Sequence, residues 1–185
     1  MIDTASKLKT VLKQEKELHL GNSALKSILN ASEGWFAFKF LSSLRKCEYH
    51  QKKSGFFHKL LYFFYLRRKN VLGAKYGIYA WPGTIDVGVY ISHVGGILIN
   101  GNAKVGKNCI FHGENCVGSI GHGSVAPTLG DNVELGVGAK VIGDIYLADG
   151  IVVGANAVVT KSCYEKNAIL AGVPAKIIKH GSTNQ

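Results

Sequence analysis

Proline is scarce, 3 in 185 residues, and the 23 glycines do not fall at every third position. A Pro-rich linker chain and a collagen are both excluded. Long apolar runs are missing too: the longest, Leu60 to Leu66, is far too short to span a bilayer. Met1-Ile2-Asp3-Thr4 lacks the charged-then-apolar layout of a signal peptide. The four cysteines, Cys47, Cys109, Cys116 and Cys163, form no CxxC pair and no dense framework, so a reduced, cytoplasmic protein is expected. What the chain does have is 46% hydrophobic against 18% charged residues, enough to bury a core.

Charge and glycine divide the chain. Residues 1–80 hold 15 Lys/Arg against 5 Asp/Glu and so carry the whole net charge of +10, while residues 81–185 hold 7 of each. Glycine runs the other way, 5 against 18. A basic helical region over 1–80 and a different architecture over 81–185 are expected. In the first, Leu8, Val11, Leu12 and Leu18 approximate a helical stripe, and Asn22-Ser23 suits an N-cap before Leu25, Ile28 and Leu29. Phe56, Leu60, Phe63 and Phe64 recur at i, i+4, i+7 and i+8, followed by Arg67-Arg68-Lys69 where a helix dipole favours cations. The expectation is that this stripe packs on its own domain. The alternative is a basic interfacial helix over residues 52–69 that touches anionic membrane. No nucleic-acid motif accompanies the positive charge, so no nucleic-acid partner is expected.

The second region repeats every six residues. Every sixth residue from Val87 reads Val, His93, Ile99, Val105, Phe111, Val117, Gly123, Leu129, Leu135, Val141, Leu147, Val153 and Val159. The residues two before each, from Ile85 through Ile97, Cys109, Val133 and Ile151 to Ala157, are small or aliphatic except across 115–127. A period of six in β-branched residues is not helical, and apolar positions two apart are strand alternation. Glycines beside them permit tight corners. Short strands with corners build a solenoid whose inward residues stack from coil to coil, about four coils over residues 85–160 at three units per coil. Two departures mark out function: His93 stands in an apolar series, and the pattern fails over Asn115–Pro127, where Gly118-Ser119-Ile120-Gly121-His122-Gly123-Ser124 is loop-like.

Lys75-Tyr76-Gly77-Ile78, Ile91-Ser92-His93-Val94-Gly95-Gly96-Ile97, Ile99-Asn100, Gly130-Asp131-Asn132-Val133 and Ala171-Gly172-Val173-Pro174-Ala175-Lys176 together resemble the hexapeptide-repeat acyltransferases. Within that group the chain looks most like the serine acetyltransferase branch, and closest to members found with surface-polysaccharide genes. The resemblance covers about residues 70–180. It implies a mainly β protein: a left-handed parallel β-helix, preceded by the helical N-terminal region and followed by a short C-terminal extension.

The resemblance also implies acetyl transfer from acetyl-CoA in a homotrimer, with sites in clefts between neighbouring β-helices. His93 matches the catalytic histidine and would act as general base, a role suited to imidazole because its pKa lies near working pH. Backbone N–H groups after His93 and in the loop after Val117 would stabilise the oxyanion. Val137, Ala155 and Thr160 match acetyl-CoA contacts, and Lys176 and Lys179 would meet the phosphates of CoA. His112 and His122 border the departing loop and would line the acceptor cleft. Cys109-x2-His112-x3-Cys116 invites a metal, but structural zinc takes four ligands and no fourth is evident, so no metal is expected.

Two positions depart from the serine enzymes. Ser92 stands where they carry Asp before the histidine, and Ala126-Pro127 where they carry His-Pro. Loss of both removes the complement for a zwitterion, whose unpaired charges would be costly to bury. The expectation is therefore an O-acetyltransferase acting on a sugar hydroxyl in bacterial surface polysaccharide synthesis. The alternatives are a serine O-acetyltransferase of cysteine synthesis and, in another class, a non-catalytic β-helix that serves as an assembly or binding module. The acidic partner of the family histidine is missing, since that region reads Asn100-Gly101-Asn102. Asp86 and Glu114 are candidates to orient His93 without matching a motif.

Overall fold

The computed structural model describes residues 2–21, 23–121 and 125–181. Four helices come first: α1 (Ala5–Leu20), α2 (Ala24–Leu29), α3 (Glu33–Gln51) and α4 (Phe56–Tyr76). Thr4 caps α1 by accepting from Lys7 N–H, and Ser32 caps α3 by accepting from Trp35 N–H, each satisfying one otherwise unpaired donor of a first turn. Ser23 stands at the N-cap of α2 without a side-chain bond, and Asn22 lies outside the described residues. No helix among the described residues is long and apolar enough to cross a membrane.

Short strands follow in chain order: β1 (Ile78–Tyr79), β2 (Tyr90–Ile91), β3 (Ile97–Ile99), β4 (Lys104–Val105), β5 (Ile110–Phe111), β6 (Cys116–Gly118) and β7 (Thr128–Leu129). The series continues with β8 (Glu134–Leu135), β9 (Lys140–Ile142), β10 (Tyr146–Leu147), β11 (Val152–Val153), β12 (Val158–Val159), β13 (Ile169–Gly172) and β14 (Ala175–Lys179). They form three sheets, ordered β1-β3-β6-β9-β12, β10-β7-β4 and β14-β13-β11-β8-β5-β2. All pairings are parallel except the closing β13–β14 hairpin. The result is a triangular β-helix. Its inward stack runs Ile91, Phe111, Leu135, Val153 and Leu170 on one wall, in register and buried. Removing each of these side chains from water contributes roughly 1.5–3 kcal/mol.

Register explains both departures from the six-residue period. Glu134 pairs with Val152 and Thr128 with Tyr146, a step of 18 residues. Lys104 pairs with Thr128 and Ile110 with Glu134, a step of 24. One hexad's worth of chain therefore leaves the wall between β6 and β7. In the first coil Ile91 pairs with Phe111, a step of 20. Two extra residues there put Val89 and Ile91 inside, leave Val87 only half-buried, and carry His93 out of the core to an exposed corner. His93 thus does not replace a core residue. Asn115 does: it is fully buried, its Oδ1 accepts from Gly113 N–H and its Nδ2 donates to the Gly136 carbonyl, as a buried amide requires.

The helices cap the first coil, and polar groups make the joint. Arg45, 1% exposed, donates to Glu15, Glu48 and the carbonyls of Ile85 and Asp86. Lys69 donates to the Ala80 carbonyl, and Glu48 accepts from Gly83 N–H. The buried face of α1 is Val11, Glu15 and His19, while Leu18 is exposed. The apolar stripe expected on α1 is corrected for that reason: its inward face is partly polar because it meets backbone donors and Arg45.

His19 carries part of this joint in its neutral form. Its Nε2 accepts from Ile91 N–H at 3.2 Å and its Nδ1–H donates to the Glu15 carbonyl at 2.9 Å. Burial holds its pKa below the ordinary 6.5, because a protonated ring would turn a second N–H against the Ile91 N–H and lose its solvation. A histidine with a depressed folded value stabilises fully above about 6.5 and progressively less as pH falls below it. Thermal stability should therefore drop between pH 7.5 and 5.5 more steeply in the parent chain than in His19→Gln. Parallel melting curves check this, and equal slopes would remove His19 as the cause.

Candidate active site

The corner between the sheet containing β2 and the sheet containing β3 holds Ser92-His93-Val94-Gly95-Gly96. Gly95 and Gly96 take φ 115° and 64°, conformations open to glycine at little cost. Gly77 ends α4 in the left-handed conformation. A Cβ on it would meet Gly96 N at 2.8 Å and Gly95 Cα at 2.9 Å. The Lys75-Tyr76-Gly77-Ile78 motif is thus the buttress behind the histidine corner, where helix end and loop touch backbone to backbone.

The His93 side chain is 67% exposed. Its Nδ1 lies 3.0 Å from Glu33 Oε2. A carboxylate only accepts, so Nδ1 carries the proton and Nε2 keeps the lone pair. Glu33 opens α3 and lies 60 residues away in sequence, so no local spacing could have marked it. Neither expected candidate holds the ring. Asp86 Oδ1 accepts from Val87 N–H, and Glu114 sits against Gly96, with its carbonyl accepting from Lys140.

Beside His93 runs a line of three polar side chains on the outer wall. Ser92 Oγ is 3.2 Å from His112 Nδ1, and His112 Nε2 is 2.7 Å from Glu134 Oε1. With Nε2–H donating to the carboxylate, Nδ1 accepts from the Ser92 hydroxyl. Ser92 and His112 are thus together, and Glu134 is a member that the sequence reading missed. His122 lies outside the described residues. Ala126 is buried where the chain rejoins the wall.

The histidine corner continues down the solenoid. Gly113 lies next to His93, with its added Cβ 3.4 Å from His93 Cβ. Gly138 N–H donates to the Gly113 carbonyl, and Asn156 N–H donates to the Val137 carbonyl. Val137 and Ala155 are exposed on this same corner. Strand spacing of about 5 Å puts them roughly 10 and 14 Å from the His93 level. Lys176 joins the column at its far end, since it pairs with Ala171 beside Gly154. Lys179 does not: it pairs with Ile169 at the other end of β14. Thr160 follows β12 and lies at a different corner. The structure therefore gathers His93, Val137, Ala155 and Lys176 and separates Thr160 and Lys179 from them.

Cys109 is fully buried, and burial pushes its thiol up to about 12, so it behaves as a small hydrophobe. No group of three or more His, Cys, Asp or Glu among the described residues is arranged to hold a metal.

No family model matches this chain. It is 41% identical over 106 residues to a serine acetyltransferase of Mycobacterium tuberculosis, a match that takes in 55% of this chain and 45% of that protein. It is 37% identical over 127 residues to a serine acetyltransferase of Helicobacter pylori, covering 65% of this chain and 72% of the relative. The chain spans about half the length of several relatives that it matches. The crystal structure of a Brucella abortus serine acetyltransferase in complex with coenzyme A superimposes with a TM-score of 0.77 at 21% identity, over 96% of this chain and 70% of that one. The fold is accordingly the left-handed β-helix of acetyltransferases with a helical N-terminal region.

These relatives correct the expected acceptor. They are serine acetyltransferases, not surface-polysaccharide enzymes. Ser92 and Ala126 are not the whole complement of this wall. Ser92 is linked through His112 to the carboxylate of Glu134 two coils on, so negative charge is present on this wall.

Proposed function

Since the chain belongs to the serine acetyltransferase family, we propose that it transfers the acetyl group of acetyl-CoA to the hydroxyl of L-serine. The observation that carries this is His93 at the head of the corner column, its Nδ1 fixed by Glu33. Nε2 removes the hydroxyl proton as the serine oxygen attacks the thioester carbonyl. The new C–O bond forms as the C–S bond breaks, and the imidazolium returns the proton to the departing thiolate. Backbone N–H groups of the glycine turn after His93 are the oxyanion donors in this reading. Ser92 Oγ, its proton directed to His112 and His112 held by Glu134, offers lone pairs to the acceptor ammonium. The pantetheine arm follows the small residues Gly113, Val137 and Ala155, and Lys176 meets a CoA phosphate. A homotrimer with the cleft between subunits belongs to the same proposal.

The test is thiol release from acetyl-CoA by the full chain, with L-serine and with other hydroxyl compounds as acceptors, and O-acetylserine identified by mass. Release that depends on L-serine is the expected result. Release that ignores L-serine would overturn the acceptor, and none with any hydroxyl compound would overturn the transferase.

A further inference from the structure

The outward face of α4 is the least expected surface on the molecule. Phe56 is 77% and Phe63 62% exposed, and Leu60, Phe64 and Val71 are exposed with them. These residues share one side of the helix, opposite Lys69, Leu72 and Gly73, which are buried against the first coil and α3. The expectation that the Phe56, Leu60, Phe63 and Phe64 stripe packs on its own domain is therefore corrected. α4 carries apolar residues on every side, among its cations, and the fold covers only half of it. A contiguous exposed apolar patch on this scale marks an interaction site.

Charge selects the partner. Lys52 and Lys53 precede α4, Lys59, Arg67, Arg68 and Lys75 stand on it, and between Glu48 and Asp86 the sequence has no acidic residue. Among the described residues none of these six cations forms an ion pair. Lys46 of α3, over the ring of Tyr65 where α3 meets α4, has its pKa lowered by burial and by the nearby Arg68. A second copy of the face would bring like charges together without one carboxylate to offset them. A two-fold contact makes each patch meet its own equivalent, so pairing of two copies through this face is opposed.

We propose that α4 docks on an anionic lipid bilayer surface, with Phe56, Leu60, Phe63 and Phe64 in the headgroup–acyl boundary and the flanking cations on anionic headgroups. Aromatic and leucine side chains beside Lys and Arg are the composition of an interfacial segment. Each cation near such a surface contributes about 1 kcal/mol, and the attraction fades with salt. The chain is then a peripheral protein whose β-helix projects from the membrane. The inference stands on α4 alone and does not depend on the acetyl acceptor.

Flotation of the full chain with phosphatidylserine–phosphatidylcholine vesicles, and with phosphatidylcholine alone, tests it at low and high salt. Binding to the anionic vesicles at low salt, weakened at high salt, is expected. Lys59→Glu with Arg67→Glu should weaken it by at least about thirtyfold, since at least two favourable charges are lost. Phe63→Ser with Phe64→Ser should weaken it while far-UV circular dichroism and thiol release stay as in the parent. No binding to anionic vesicles at low salt overturns the proposal. So does sedimentation in which these same variants dissolve a higher oligomer while vesicle binding is absent, which would assign the face to a second copy.

Discussion

Replacement of His93 by alanine is expected to lower turnover by about 10²–10⁴-fold, the usual contribution of a positioned general base. The fold should be untouched, because the side chain is exposed and the wall beneath it is built by Ile91, not by His93. The melting temperature and the far-UV spectrum of His93→Ala are therefore the controls. Glu33→Gln should do less and do it differently. An amide in place of the carboxylate can still hold the ring but no longer balances an imidazolium, so Glu33 is a positioning residue. Its loss should reduce kcat more than it changes the KM for acetyl-CoA. Near-parent turnover in His93→Ala would withdraw the histidine from the chemistry. An unchanged kcat in Glu33→Gln would reduce the 3.0 Å contact to packing.

The walls were legible because a solenoid repeats its packing problem. Cys109, Val133 and Ile151 are buried where the six-residue period puts them, since each inward position meets the same neighbour one coil away. The period misleads where coil length changes. His93 falls on the sixth-residue series only by count, and a step of 20 residues in the first coil takes it outside. Glu33 and Glu134 carry no local signal, because both reach their histidines across the fold from another helix or coil. The helices are harder still. A count of apolar residues favours Leu18 on α1, yet the side that faces the solenoid presents Glu15 and His19 to Arg45 and to the Ile91 N–H. On α4, where apolar and basic residues are spread over every side, no periodicity distinguishes the face that packs from the face that does not.

The largest stability effect is expected at Arg45. Its guanidinium is held by Glu15 at 2.9 Å, Glu48 at 3.1 Å and the carbonyls of Ile85 and Asp86 at 2.7 and 2.6 Å, so one side chain ties α1 and α3 to the first coil. Arg45→Met keeps the volume but strands two carboxylates and two carbonyls in a buried space. Breaking a buried pair by removing one partner costs about 3–5 kcal/mol, which for a chain of this length lowers the melting temperature by about 10 °C. The deficit should depend on pH with a definite sign. Burial already raises the Glu15 carboxyl above its ordinary 4.5 with Arg45 in place, and its Oε2 has no partner among the described residues. Without the guanidinium the carboxyl rises further. A carboxyl with a raised folded value binds its proton more tightly in the folded state, so it favours folding at low pH and this contribution is lost as pH rises above 4.5. Arg45→Met should accordingly lose less, relative to the parent, at pH 5 than at pH 8. Adding Glu15→Leu should recover part of the loss, because the stranded charge is then gone. Urea titrations of the parent, the single and the double variant at both pH values measure this directly. A loss that is equal at pH 5 and 8, with none of it recovered by Glu15→Leu, would mean that Arg45 acts through packing of its stem and not through the charges it joins.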